Sequence, residues 1–150
     1  TAPGQEDVVQ WLSDSGVPMI GHLGLTPQYV HQFGGYKVQG RDPTTFEKIK
    51  DHAQKLESAG CHALVLECVP TSLAREVSNL CSISTIGIGA GTEVDGQVLV
   101  LQDLLGFHKN FKPRFVREFA QGFDWMSAAV TSYTQSVQSV DFPREEESFL

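Results

Sequence analysis

The stretch Thr44–Gly89 reads TTFEKIKDHAQKLESAG CHALVLECVP TSLAREVSNL CSISTIGIG, and its alternation of segments decides the fold class. In its first part Phe46, Ile49, Ala53 and Leu56 recur at spacings of three and four, which is one face of a helix over Thr44–Ala59. Thr44 and Glu47 stand at the spacing of a capping box, and Gly60 is placed to end the helix. Ala63–Glu67 (ALVLE) is a continuous apolar run closed by an acid, as expected of a parallel strand buried on both faces. Pro70–Leu80 predicts a short helix with Leu73, Ala74, Val77 and Leu80 inward and Thr71 or Ser72 as its cap. Ser84–Gly89 (STIGIG) is the next strand. The order β-α-β-α-β predicts a parallel α/β architecture.

The flanks extend the same pattern. Val8, Trp11 and Leu12 share a helical face in Gln5–Ser15, with Gly16 as a stop, and Val17–Leu23 (VPMIGHL) reads as a buried strand. Leu25–Arg41 is a loop, broken by Pro27, Gly34, Gly35 and Gly40. Gln97–Asp103 (QVLVLQD) has the β-branched content of a strand, although the link from the previous strand is short for a parallel crossover. A helix capped by Asp95 and stopped by Gly106 is the rival reading. Pro113–Gln121 and Asp124–Val137 are expected to be helices, the second with Met126, Ala129, Val130, Tyr133 and Val137 on one face. No repeat or linker marks an internal boundary, so residues 1–150 read as one domain.

Bulk properties exclude several functions. A net charge of −7 and a pI near 5.1 argue against a nucleic-acid partner, which asks for a basic patch. No apolar run is long enough for a membrane span, and no signal peptide opens the chain. The three cysteines, Cys61, Cys68 and Cys81, form no C-x-x-C pair and cannot all pair with one another. Reduced thiols in a cytoplasmic protein are the expectation, without structural zinc.

Glu67 is the most informative residue. It ends an apolar strand just before Pro70 breaks the chain, and in parallel α/β folds that edge is where sites are built. Partial desolvation makes a carboxylate a better proton acceptor, which suits general-base work. The competing reading is an ordinary strand-end carboxylate that caps the next helix or faces solvent. His22, in GHLG, ends its strand at the equivalent edge; it can bond a substrate carbonyl or hold the turn at Leu25–Pro27. Lys37 and Arg41, in GGYKVQGR, lie on the loop above that edge and can clamp an anionic substrate or remain solvated. The glycines of GIGAG (Gly87–Gly91) lack the spacing and lysine of a phosphate loop and fit close packing at a strand end. Cys68 takes the strand face opposite Glu67 and reads as a core residue. The remaining histidines, His31, His52, His62 and His108, show no metal-ligand spacing.

Four segments in order, GHLGLTPQ (Gly21–Gln28), GGYKVQGR (Gly34–Arg41), VLECVP (Val65–Pro70) and TIGIGAGTEVDGQVLV (Thr85–Val100), resemble the ketopantoate hydroxymethyltransferase family, as does the late PREEESF (Pro143–Phe149). The resemblance runs from about Asp7 onward. It implies a (β/α)8 TIM-type barrel of the phosphoenolpyruvate mutase and isocitrate lyase group, of which this chain supplies the second half, about strands five to eight. A whole barrel takes about 250 residues, so a partial domain is expected.

The resemblance also implies a reaction: transfer of a one-carbon unit from 5,10-methylenetetrahydrofolate to 3-methyl-2-oxobutanoate, giving ketopantoate. Magnesium binds the keto acid and acidifies C3, and the glutamate of the family's LECVP motif, here Glu67, removes the proton to give an enolate. The family's metal-binding aspartates, its Gly-Asp-Ser motif and its Lys-x-Glu segment precede the region present, so no metal ligand is expected in this chain. The start at Thr1 fits a piece of a longer enzyme, and the chain by itself is expected to be inactive. A homo-oligomer in the cytoplasm is implied as well. The alternatives are a related 2-oxo acid carbon–carbon lyase, which would need no folate, and a non-catalytic remnant.

Overall fold

A computed structural model describes residues 4–31, 34–110 and 112–149, so residues 32 and 33 of the expected loop lie outside it. The chain divides into two compact units, residues 1–98 and 99–150.

The first unit holds α1 (Glu6–Asp14), β1 (Met19–Gly24), α2 (Pro43–Ser58), β2 (Cys61–Glu67), α3 (Thr71–Leu80), β3 (Ser84–Ile88) and β4 (Gly96–Gln97). The four strands form one sheet in the order β1-β2-β3-β4, every pair parallel. This is the α/β arrangement that the alternation predicts, and it matches part of a (β/α)8 barrel.

Strand residues alternate between two environments. Leu23, Leu64 and Leu66 join Val9, Ala53, Leu56, Leu73, Ala74 and Val77 in the buried core between sheet and helices. On the other face Ile20 is 49% exposed, and His22, Val65, Glu67 and Ile86 are half-buried. Parallel sheets are normally covered on both faces. Within this unit the helices cover one, and the bare one is the face that a closed barrel turns inward.

Local chemistry departs from the sequence reading at several points. Helix α2 begins one residue earlier than expected and is capped by Asp42, whose carboxylate accepts from the Thr45 N–H at 3.0 Å, with Pro43 in the first turn. The Thr44–Glu47 capping box is therefore not used. Pro at the first helical position needs no N–H partner and fixes φ for the helix, so the cap moves to the residue before it. Helix α3 starts after Pro70 without a side-chain cap from Thr71 or Ser72.

The region Gln97–Asp103 is neither of the two elements expected. Strand β4 is only Gly96–Gln97, residues 98–100 are irregular, and a short helix begins at Leu101. β4 runs parallel to β3 without a crossover helix, because the link 89–95 is pinned by polar bonds. The Asp95 carboxylate accepts from the Thr85 N–H at 2.7 Å and its hydroxyl at 3.0 Å. Ser78 adds bonds to Thr85 Oγ1 at 2.7 Å and to the Glu93 carbonyl at 3.0 Å.

The second unit holds α4 (Leu101–Leu104) and α5 (Gly122–Gln138). Pro113–Gln121 is not the helix expected. Phe119 N–H donates to the Leu104 carbonyl at 2.8 Å, and the Gly122 and Phe123 N–H groups go to Leu105 and Gly106. Pairing with the 104–106 carbonyls takes the donors that a helix would use internally. Phe107 meets Trp125 edge-on at 5.9 Å. On α5, Met126, Val130, Tyr133 and Val137 are exposed.

Candidate active site

β1 and β2 end side by side, and their last residues form the candidate site. Gly24 pairs with Glu67 and His22 with Val65, which places the His22 and Glu67 side chains on the same bare face of the sheet. His22 Nε2 lies 3.0 Å from Glu67 Oε2, with side chains 27% and 16% exposed. Two residues that the sequence put forward separately thus form one hydrogen-bonded pair, joined across 45 positions of chain.

The backbone around Glu67 is fixed from three sides. The Glu67 carbonyl accepts from the Leu25 N–H at 2.8 Å, tying it to the turn after β1. The Cys68 N–H donates to the Ile88 carbonyl of β3, and the Cys68 carbonyl accepts from the Gln39 N–H, both at 2.9 Å. Cys68 sits in the left-handed region at φ 49°, unusual for a side-chain-bearing residue and a form of strain that clusters at functional sites. It is half-buried and lies outside the core cluster in which it was expected. The left-handed turn takes the chain out of the strand's alternation, so the period-two rule no longer sets its direction. Burial, and after it the adjacent Glu67 charge, hold the Cys68 thiol above the usual cysteine range. It is a neutral thiol and not a ready nucleophile.

Lys37 and Arg41 are not part of the pair. Both are exposed, and among the described residues neither forms an ion pair or side-chain hydrogen bond with Glu67 or His22. The loop that carries them is nonetheless anchored beside the site. The Gln39 N–H holds the Cys68 carbonyl, and the Gln39 amide donates to the Lys37 carbonyl at 2.9 Å. Gln39, Gly24 and the turn at Cys68 were not singled out from the sequence as parts of the site. Gly24 had a signal, since a glycine at a strand end implies close backbone approach.

Among the described residues no group of three or more His, Cys, Asp or Glu side chains is placed to hold a metal. Glu67 and His22 satisfy each other. The residues present therefore do not fit a magnesium site. No helix among the described residues is long and apolar enough to cross a membrane.

The family described as ketopantoate hydroxymethyltransferase matches residues 2–145. The chain is 52% identical over 148 residues to the 3-methyl-2-oxobutanoate hydroxymethyltransferase of Bdellovibrio bacteriovorus, covering 99% of the chain and 56% of that protein. The proteins of the same name from Marinobacter nauticus and Francisella tularensis are 49% and 42% identical, covering 96% and 97% of the chain and 54% and 55% of those proteins. The chain spans about half the length of the curated relatives it matches. With nearly its whole length matched, the chain belongs to the ketopantoate hydroxymethyltransferase family.

Proposed function

We propose that this chain supplies the proton-transfer half of an enzyme that moves a one-carbon unit from 5,10-methylenetetrahydrofolate to 3-methyl-2-oxobutanoate, giving 2-dehydropantoate. One observation carries the reading: the Glu67 carboxylate is held at the C-terminal end of β2, 3.0 Å from His22, on the bare face of the sheet. A base must be fixed in orientation to remove a proton from carbon, and general-base catalysis contributes about 10²–10⁴-fold.

In this reading Glu67 takes the C3 proton of the keto acid. His22 orients the carboxylate that receives it. The resulting enolate forms a carbon–carbon bond to the one-carbon unit, and water supplies its hydroxyl. Both carbon–nitrogen bonds to the folate break, so that tetrahydrofolate leaves with the C3 proton and one proton of the water. Lys37 and Arg41 steer the anionic acid from the anchored loop. Magnesium, which the family resemblance implies, finds no ligand set among the described residues, and no step here is routed through it. Homo-oligomeric assembly and a cytoplasmic setting belong to the same reading, and the names of the relatives favour transfer over carbon–carbon cleavage.

The test uses the protein extended at its N-terminus to the length of its relatives. With magnesium and no folate, it should exchange the C3 hydrogen of 3-methyl-2-oxobutanoate with solvent deuterium. Glu67→Gln keeps the shape but cannot accept the proton, so exchange and transfer should both fall by at least about 10²-fold. Retention of exchange with loss of transfer would move Glu67 to folate positioning. Retention of both would remove it from the chemistry.

A further inference from the structure

The chain is acidic, yet one short stretch of it gathers positive charge. HKNFKPRFVREF (residues 108–119) holds four of the chain's 11 Lys and Arg residues, Lys109, Lys112, Arg114 and Arg117, and its one acid is Glu118. Lys112 is paired with Glu118 at 3.0 Å. Lys109, Arg114 and Arg117 are exposed and form no ion pair among the described residues. Phenylalanines stand among them. Phe119 is 67% exposed with the Arg117 guanidinium 5.9 Å from its ring centre, and Lys109 Nζ lies 5.2 Å from that of Phe123. Like charges gathered on one short segment repel one another, so the cluster gains from an anion.

Both ends of the segment are held. The Phe119, Gly122 and Phe123 N–H groups donate to the carbonyls of Leu104, Leu105 and Gly106, and Val116 is buried. Gly106 is left-handed at φ +69°, and a Cβ there would strike the Ala120 carbonyl oxygen. A surface already fixed loses little freedom when it binds. Its place in the chain is also informative. Gln97 pairs with Gly87 and Glu67 with Ile88, so β4 ends at the same edge of the sheet as β2. The basic segment belongs to the connection that leaves that edge, and such connections are where parallel α/β folds meet their ligands.

The co-substrate of the proposed reaction matches this chemistry. Folate ends in an aminobenzoyl ring joined to glutamate, and its γ-glutamyl forms gain a carboxylate with each added residue. We propose that this surface docks the acidic tail of the folate, with Lys109, Arg114 and Arg117 pairing the glutamate carboxylates and Phe119 receiving the aryl ring. The inference rests on the folate reading above and deepens it, giving the tail a place that the reading left open.

The experiment measures binding in the N-terminally extended protein with magnesium. Calorimetry compares tetrahydropteroate, which has no glutamate, with tetrahydrofolate and its tri-γ-glutamyl form. Affinity should rise along the series, by roughly threefold to tenfold from the second to the third, the scale of a few exposed ion pairs. The rise should shrink at about 1 M salt, where the screening length is about 3 Å. Arg114→Gln combined with Arg117→Gln keeps polarity and removes the charge. Both side chains are exposed, so the melting temperature should stay. The variant should bind tetrahydropteroate as the wild type does and lose most of the gain from the tail, and Lys at both positions should restore much of it. Equal affinity of the wild type for all three ligands overturns the proposal and leaves the folate reading standing. So does a gain that survives in the Gln variant. A single-stranded oligonucleotide bound more tightly than the tri-γ-glutamyl form would make this a nucleic-acid surface and overturn it as well. Because binding is read without turnover, Glu67 can fail as the base while this surface stands. A wild-type protein that binds none of the three overturns both the folate reading and the proposal.

Discussion

Gly24 stands directly across the β1–β2 ladder from Glu67, and its backbone is left-handed at φ +90°. A Cβ at that position would run into the Glu67 carbonyl oxygen and a Val69 methyl group. The strands close at the candidate site only because this residue has no side chain. Gly24→Ala is expected to cost at least about 1–2 kcal/mol from the left-handed conformation alone. Displacement of Glu67 should slow C3 exchange as well. Denaturant unfolding and exchange rates of the extended protein check both; an unchanged variant would mean the strand ends shift freely.

The His22–Glu67 bond ranks the two residues. If Glu67 is the base and His22 its orienting partner, His22→Ala should slow exchange by about tenfold, the value of one lost hydrogen bond, while Glu67→Gln falls by about 10²-fold or more. His22→Gln, which keeps a donor near the Nε2 position, should recover part of the loss. The reverse ranking would make the imidazole the proton acceptor and Glu67 its support.

Stability should fall on the acid side. The Asp95 carboxyl is held below its ordinary value by the backbone and hydroxyl bonds from Thr85, and Glu57 by the hydroxyl and N–H of Ser82. A carboxylate whose folded value is depressed stabilises the fold fully above its unfolded value, near 3.8 for Asp and 4.5 for Glu. That contribution is lost as pH falls through the folded values. Melting temperatures should therefore decline below about pH 4.5, and the Asp95→Asn variant should show a shallower decline from a lower start. An identical acid limb in the variant would mean that the Thr85 bonds do not discriminate the charged form.

The bare sheet face sets the behaviour of the 150-residue chain by itself. Ile20 is 49% exposed beside half-buried Val65 and Ile86, and β1 is an open edge of the sheet. Such a surface promotes association. Sedimentation should find the isolated chain aggregated or self-associated, and inactive until a partner covers that face. A monomer that melts cooperatively would show a self-sufficient domain.

The sequence was most legible where one pattern governed a whole segment. Core-facing Ala53, Leu56, Leu64, Leu66 and Val77 follow directly from helical spacing and the continuous apolar run. It was least legible where neighbours distant in the chain decide conformation. Pro113–Gln121 has helical composition, but its donors go to carbonyls at 104–106. The parallel β4 depends on Asp95 finding Thr85, which no local propensity encodes. At the site, Glu67 and His22 each marked a strand end, yet only the register shows that they meet. The left-handed Cys68 carried no signal, since the residues that usually take that conformation are Gly, Asn and Asp.

The register also has a kinetic consequence. β2 and β3 join residues as near in sequence as Ala63 and Ser84, across one short helix, whereas His22 and Glu67 are 45 positions apart. Closing a longer loop costs more entropy, and pairings distant in sequence slow folding. The β2-α3-β3 unit should form first, with Glu67 already at its strand end, and β1 should dock later. On refolding of the N-terminally extended protein, helical signal would then return ahead of C3 exchange, and the delay would time the arrival of His22 beside a carboxylate that was waiting for it.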